Sequence, residues 1–324
     1  MTRRIDQLIS RWPISHWLIL SIAWTGISAC VSPHLAPQPR LQTYGHTMQL
    51  QPAAIADPAL RVMTVNLAHA RGTGLHQALQ NEERARANLD AVRAVIQREA
   101  PQVVALQEAD ASSAWSGDFD HVDYLAETTG FASGLLSIHA EGGGQTYGTA
   151  MLTQLPVVDK RAYTFAPAVA TFPKGFSLLT VRWPAEDELV DLVSLHLEPL
   201  RTKVRQEQAR QLIAALADRG RPLIIMGDFN TESDHRDGVL DSIIRDLDLQ
   251  TFRQEAEDLA TYPRLGRRLD WILASQHFEF AGFNVLPDRL SDHRAVVALL
   301  RPRPKAPTAD DRDVASIVDL RPYH

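Results

Sequence analysis

The sequence predicts an α/β (α+β) domain, and three observations carry that prediction. Short apolar or β-branched runs recur along residues 61–301, two longer stretches have helical spacing, and these helices are interspersed among more numerous strands. The chain has 324 residues, 45 % apolar and 22 % charged, so it can bury a sizeable core.

The N-terminal segment reads as a separate unit. Arg3, Arg4 and Arg11 make a basic start, and an apolar run follows from Trp17 to Ala29. That run is shorter than the roughly 20 residues a membrane span needs. It ends in Ile27-Ser28-Ala29-Cys30, and Cys30 is the only cysteine. The layout resembles the signal and lipobox of bacterial lipoproteins, in which the cysteine is lipidated and becomes the mature N-terminus. The alternative is an uncleaved anchor helix with Cys30 incidental. The resemblance implies a signal peptide over 1–29 and an envelope protein held to a membrane through Cys30, facing the periplasm or the exterior. Loss of 1–29 removes three Arg and one Asp, which moves the formal charge from -6 to -8.

Residues 30–60 carry Pro33, Pro37, Pro39, Pro52 and Pro58 with little apolar periodicity, the composition of a tether. The span 61–301 then reads as one domain. Its strands are expected at 61–66, 102–107, 148–153, 176–183, 189–195, 222–227, 269–274 and 294–300. Helices are expected at 82–99, where Ala85, Leu89, Val92 and Ile96 share a stripe, and at 203–217, where Ala209, Leu212, Ile213 and Leu216 do. Residues 302–324 read as a polar tail, with 317–320 able to dock on the domain.

Polar side chains recur where these strands end. Asn66 closes the first and Glu108 the second; His196 closes another, and Asp228 and Asn230 follow Leu223–Met226. Asp270 opens a strand, and Asp292 and His293 precede the last. One such residue is usually a turn former or a helix cap. Several at strand ends could instead converge at one rim of a sheet. The Glu108 and Asp292 carboxylates and the Asn66 amide are hard oxygen donors that suit Mg²⁺ or Mn²⁺. Such a cation neutralises charge on a phosphoryl oxygen. Asp228 and Asn230 could orient water, and a histidine beside a carboxylate can hold or move a proton.

The ordered series NLAH, LQE, YGTAML, SLH, GDFN, RLDWIL and SDHRAV resembles the endonuclease/exonuclease/phosphatase superfamily over about residues 61–301. The resemblance implies a four-layer αββα sandwich of two face-to-face β-sheets flanked by helices. It also implies that Asn66, Glu108 and Asp292 hold the metal and that Asp228 positions the attacking water. Asn230 resembles a ligand of phosphate or of a second metal. His293 resembles a histidine on the scissile phosphate with Asp270 as its orienting carboxylate, and His196 a second phosphate-facing histidine of the deoxyribonuclease and sphingomyelinase branches.

Other residues carry weaker signals. His69 and Arg71 could reach phosphate from the rim or lie in a surface loop. Tyr147 reads as packing, and Gly142–Gly144 as a turn. Arg201, Lys203 and Arg205 either start a solvated helix or meet an anionic substrate. Ser194 lacks the context of a nucleophile, and His235 and His277 read as surface residues.

The expected activity is metal-dependent hydrolysis of a phosphoester substrate, with a membrane or envelope headgroup favoured by the anchor. The alternatives are an exported nuclease acting on nucleic acid and a catalytically silent binding protein. The net charge of -6 does not suggest a broad nucleic-acid surface. No obligate protein partner is evident.

Overall fold

The computed structural model describes residues 40–45, 59–74, 76, 81–169, 171–183, 188–233 and 237–303. The expected signal segment, Cys30, His235 and residues 317–320 lie outside the described residues.

Strands β1 (Arg40–Gly45) and β2 (Leu60–Asn66) are followed by helix α1 (Glu82–Glu99), β3 (Val103–Asp110) and α2 (His121–Thr129). Then come β4 (Ser133–Gly142), β5 (Gln145–Thr153), β6 (Val157–Thr164), β7 (Gly175–Trp183) and β8 (Glu188–His196). Helix α3 (Thr202–Leu216), β9 (Leu223–Asp228), α4 (Val239–Asp246) and β10 (Leu249–Thr251) lead to β11 (Asp270–Ser275), β12 (Phe278–Val285) and β13 (Val296–Pro302).

The strands form two mixed sheets. One is seven-stranded, in the order β1-β4-β5-β3-β2-β13-β12, and the other six-stranded, in the order β10-β11-β9-β8-β7-β6. Alternation along each central strand sends side chains to two cores. From β3, Val103 and Ala105 enter the core between the sheets, where they meet Leu192, Ile224 and Met226. Val104 and Leu106 face the other way, toward Leu89 and Val92 of α1 and Leu125 of α2. On the far sheet, Val193, Leu195 and Ile225 pack against Leu212 of α3 and Ile243 of α4. Helices therefore cover both outer faces, and the architecture is the expected sandwich of helix, sheet, sheet and helix.

Local chemistry fixes the helix ends. The Asn81 side chain accepts from the Arg84 N–H at the start of α1, and Glu82 and Glu83 favour its first turn. Asp120 caps α2 through the Val122 and Asp123 N–H groups, and Gly130 ends it at φ 75°.

The structure corrects the domain boundaries. Arg40–Gly45, inside the stretch expected to be a tether, pair along β4. Tyr44 Oη and Gln42 Nε2 both donate to Asp120 Oδ2, at 2.7 and 2.8 Å. The folded domain thus begins at least twenty residues before position 61. At the other end β13 includes Pro302. The Gly142–Gly144 stretch makes the turn of the β4–β5 hairpin, as expected.

Gly227 has φ 148°, and a Cβ there would lie 2.0 Å from the Leu195 carbonyl oxygen. The close approach of β8 and β9 depends on its missing side chain. Gly227→Ala should cost about 2 kcal/mol or more in urea-induced unfolding. An unchanged midpoint would contradict that strand spacing.

Candidate active site

Strand register alone builds half of the site. Gly175 pairs with His196 across β7 and β8. His196 pairs with Asp228 across β8 and β9, and Asp228 with Asp270 across β9 and β11. The side chains of His196, Asp228 and Asp270 therefore stand in a row on one end of the six-stranded sheet, with Lys174 just before β7.

The seven-stranded sheet supplies the opposing row. Asn66 ends β2 beside Gln107 of β3. Between Leu106 and Ala109 the β3–β5 register slips, and Glu108 sits in that bulge at φ 48°. A bulge redirects a side chain that a regular strand would send into the core. The chain after Asn66 is also tightly wound, with Ala68, His69 and Ala70 at φ 48°, 55° and 55°. Strain of this kind persists only where surrounding contacts hold it.

The two rows meet at Asp228. Its Oδ2 accepts from Asn66 Nδ2 at 3.0 Å and lies 3.6 Å from His196 Nε2 and 3.8 Å from His293 Nε2. Its Oδ1 accepts from the Asn230 N–H at 3.0 Å. Asn230, at φ 52°, turns its amide to donate to the Leu197 carbonyl at 2.9 Å. His293 Nδ1 lies 2.8 Å from Asp270 Oδ2. The carboxylates of Glu108 and Asp292 lie on either side of Arg71, which pairs with Asp292 and stands 3.7 Å from Glu108 Oε2.

Cations crowd Glu108. Its oxygens lie 3.4 Å from His69 Nε2, 3.8 Å from Lys174 Nζ and 4.0 Å from His196 Nε2. Burial alone would raise its pKa, but the pull of His69, Lys174, His196 and Arg71 outweighs burial and holds the carboxyl well below its usual range. Burial pushes the His196 imidazole well below its usual pKa, with Lys174 at 3.1 Å reinforcing the effect. For Asp228, burial dominates and raises the carboxyl to about 7, with Asp270 adding to the rise and His293 opposing it. His293 goes the other way: burial works against its proton, but Asp270 and Asp228 overcome it and lift the imidazole to about 10.

The donor set fits a hard cation. His69, Arg71, Lys174 and His196 all stand 3.4 Å or more from Glu108, outside good hydrogen-bond distance, so its oxygens retain acceptor capacity. The Asn66 side-chain oxygen Oδ1 accepts one bond, from the Ala68 N–H, and has a second lone pair. A second grouping, Asp228, Asp270 and His293, has its ligand atoms within 4.8 Å of one another, and Asp270 Oδ1 is buried without a hydrogen-bond partner. There, however, the short His293–Asp270 contact already holds a proton. That geometry favours proton handling over a cation.

The family's sequence profile matches residues 63–293. The chain belongs to the endonuclease/exonuclease/phosphatase family. Solved structures with this family's fold agree. A family protein from Leptotrichia buccalis superimposes with a TM-score of 0.59 at 20 % identity, over 75 % of this chain and 99 % of that one. The human Nocturnin catalytic domain with bound sulfate gives 0.56 at 19 %, over 82 % and 97 %. A mannosyl-6-phosphatase from Bacteroides thetaiotaomicron gives 0.55 at 17 %, over 74 % and 99 %. Among curated proteins there is no sequence match.

All eight strand-end residues of this endonuclease/exonuclease/phosphatase chain sit at one end of the sandwich. The weaker signals divide. His69 is buried and lies 3.2 Å from Asp110, with Tyr147 and Trp115 rings against it at 4.7 and 4.9 Å, so it backs Glu108 and is no surface loop residue. Arg205 is buried in an ion pair with Asp237 at 2.7 Å, which removes it from any substrate role. Lys203 is exposed at the start of α3, and His277 is exposed. Ser194 bridges the sheets through Gln107 Nε2 at 3.1 Å. Lys174 has no signal in the sequence: it lies in a loop with no periodicity, and only the fold brings it to His196.

The directions of the Asp228 and His293 shifts fix a pH profile. A deprotonated Asp228 can accept a proton from water, and a protonated His293 can donate a hydrogen bond. The kcat/KM should rise with pH through about 7 and fall again through about 10. Asp270→Asn should move the alkaline limb to lower pH. An alkaline limb that stays in place would remove Asp270 from the support of His293.

Proposed function

We propose that the protein is a divalent-metal-dependent phosphoester hydrolase, using Mg²⁺ or Mn²⁺, that acts on a membrane or envelope phosphodiester or phosphomonoester. The observation that carries this reading is the convergence on one cleft of two partly buried carboxylates, Glu108 and Asp292, with the Asp228–His196–His293 group. Glu108, Asn66 and Asp292 would hold the cation. Bound there, it would draw charge from a phosphoryl oxygen and stabilise the departing one.

The chain's own residues account for the rest. Asp228 orients water and takes its proton as the water oxygen bonds to phosphorus. The bond from phosphorus to the ester oxygen breaks on the opposite side, so no covalent enzyme intermediate forms. His293, held protonated by Asp270, donates a hydrogen bond to the charge that develops on phosphate. Lys174, buried beside His196, adds a fixed positive charge. Asn230 is braced by the Leu197 carbonyl at the same edge.

The address of the enzyme follows from its N-terminus. The basic start, the apolar run and the position of Cys30 support a lipoprotein of the bacterial envelope, and such an anchor concentrates the enzyme at phosphoesters of a membrane. Cys30→Ala should release the protein from the membrane fraction; retention there would refute lipid anchoring.

The reaction is tested with the full chain on a bis-aryl phosphodiester, phospholipids, DNA and RNA. Turnover should require added Mg²⁺ or Mn²⁺ and stop with a chelator. Glu108→Ala should lower kcat/KM at least about 100-fold. No turnover on any substrate, or a Glu108→Ala enzyme equal to wild type, would overturn the reading. Preference for DNA or RNA over every lipid would replace the envelope substrate with nucleic acid.

A further inference from the structure

Large apolar side chains are exposed at few places among the described residues, and those places are not scattered. Val169 is 86 % exposed, Phe172 45 %, Leu200 83 % and Leu265 63 %; the remaining one, Val158, lies on β6. Single exposed apolar residues are normal on a protein surface. Here four of five lie on three loops that border the catalytic cleft.

Each loop is tied to a group of the site. Val169 and Phe172 precede Lys174, whose Nζ lies 3.1 Å from His196 Nε2. Leu200 follows His196 by four residues, on the turn into α3. Arg201 donates to the Val169 carbonyl, which joins those two loops. Leu265 belongs to the turn that begins at Thr261 and Tyr262; the Thr261 hydroxyl accepts from the Asp270 N–H, and the Tyr262 ring lies 5.0 Å from His293.

Cations flank two of the three loops: Arg201 follows Leu200 with Lys203 beyond, and Arg264 precedes Leu265, whereas Lys174, after Phe172, is buried against His196. We propose that this rim seats the cleft on an anionic lipid surface, the apolar tips entering the headgroup layer and the flanking cations meeting its phosphates.

The form of the surface selects the occupant. A protein partner is normally met by a continuous apolar patch with a polar rim. These side chains are spread over three loops, with Arg201, Lys203 and Arg264 beside them. Exposed apolar tips flanked by Arg201, Lys203 and Arg264 match a boundary that is anionic outside and hydrocarbon inside. The rim is also continuous with a cleft whose chemistry suits phosphoesters, so docking would deliver a headgroup to Asp228. The choice of substrate rests on the hydrolase reading; the docking itself does not.

A fluorophore placed on the full chain separates the two. Leu200→Cys and Leu265→Cys carry the label at the rim, Arg245→Cys carries it on α4, and the wild-type chain reports any labelling of Cys30. Vesicles of phosphatidylcholine and phosphatidylglycerol with brominated acyl chains should quench the labels at 200 and 265 at least twofold more than the label at 245. Equal quenching at the three positions, or none at the rim, overturns the proposal, whatever the enzyme hydrolyses. In a second arm, Phe172→Ser/Leu200→Ser should lower the ratio of turnover on vesicle-borne phosphodiester to turnover on a soluble bis-aryl phosphodiester at least tenfold. An unchanged ratio contradicts docking. Absence of turnover on both by the wild-type chain refutes the hydrolase reading and leaves the quenching result to decide the docking.

Discussion

The hydrogen bond from Asn66 Nδ2 to Asp228 Oδ2, 3.0 Å long, joins the two sheets at the point where both of their functional rows end. Asn66 is the last residue of β2 in one sheet, and Asp228 the last of β9 in the other. A sandwich brings two strand edges face to face, but it does not by itself fix their offset. This contact does, and behind it Gln107 repeats the tie through Ser194 in the buried interior. Without the offset, Glu108 and Asp228 would belong to separate surfaces.

Around that joint the electrostatics are divided by position. Glu108 lies among cations and stays ionised, whereas Asp228, deeper and beside Asp270, is pushed toward a neutral-range pKa. The same burial that raises the Asp228 carboxyl also makes His293 depend on Asp270 for its charge. One acid near neutrality and one base held protonated above it are the pair that proton transfer at neutral pH requires. The backbone contributes as well: Glu108 and Asn230 both sit at positive φ, so their side chains leave the regular pleat where the cleft needs them.

Much of this was legible in the sequence because strand ends are legible. The apolar runs of β2, β8 and β9 mark their own termini, so Asn66, His196 and Asp228 stand out as polar residues that stop them; Glu108 ends an apolar run in the same way, although β3 continues past it through a bulge to Asp110. What stayed hidden includes β4, a buried inner strand whose apolar run is not among the expected strands, and elements whose pattern is weak. β1, β6 and β12 are edge strands with mixed polarity, and α2 and α4 are too short to show a stripe. Lys174 carries no pattern of its own, and its role exists only through the pairing of Gly175 with His196. Arg205 is the converse case: a basic residue at a helix start that the sequence leaves open to substrate, but which Asp237 claims in the interior.

The account turns on which carboxylates take the cation. Anomalous diffraction from crystals soaked in Mn²⁺ measures this directly. The account predicts a peak at coordination distance, about 2.0–2.3 Å, from carboxylate oxygens of Glu108 and Asp292. A peak held by Asp228, Asp270 and His293 alone, or no peak in the cleft, would contradict it.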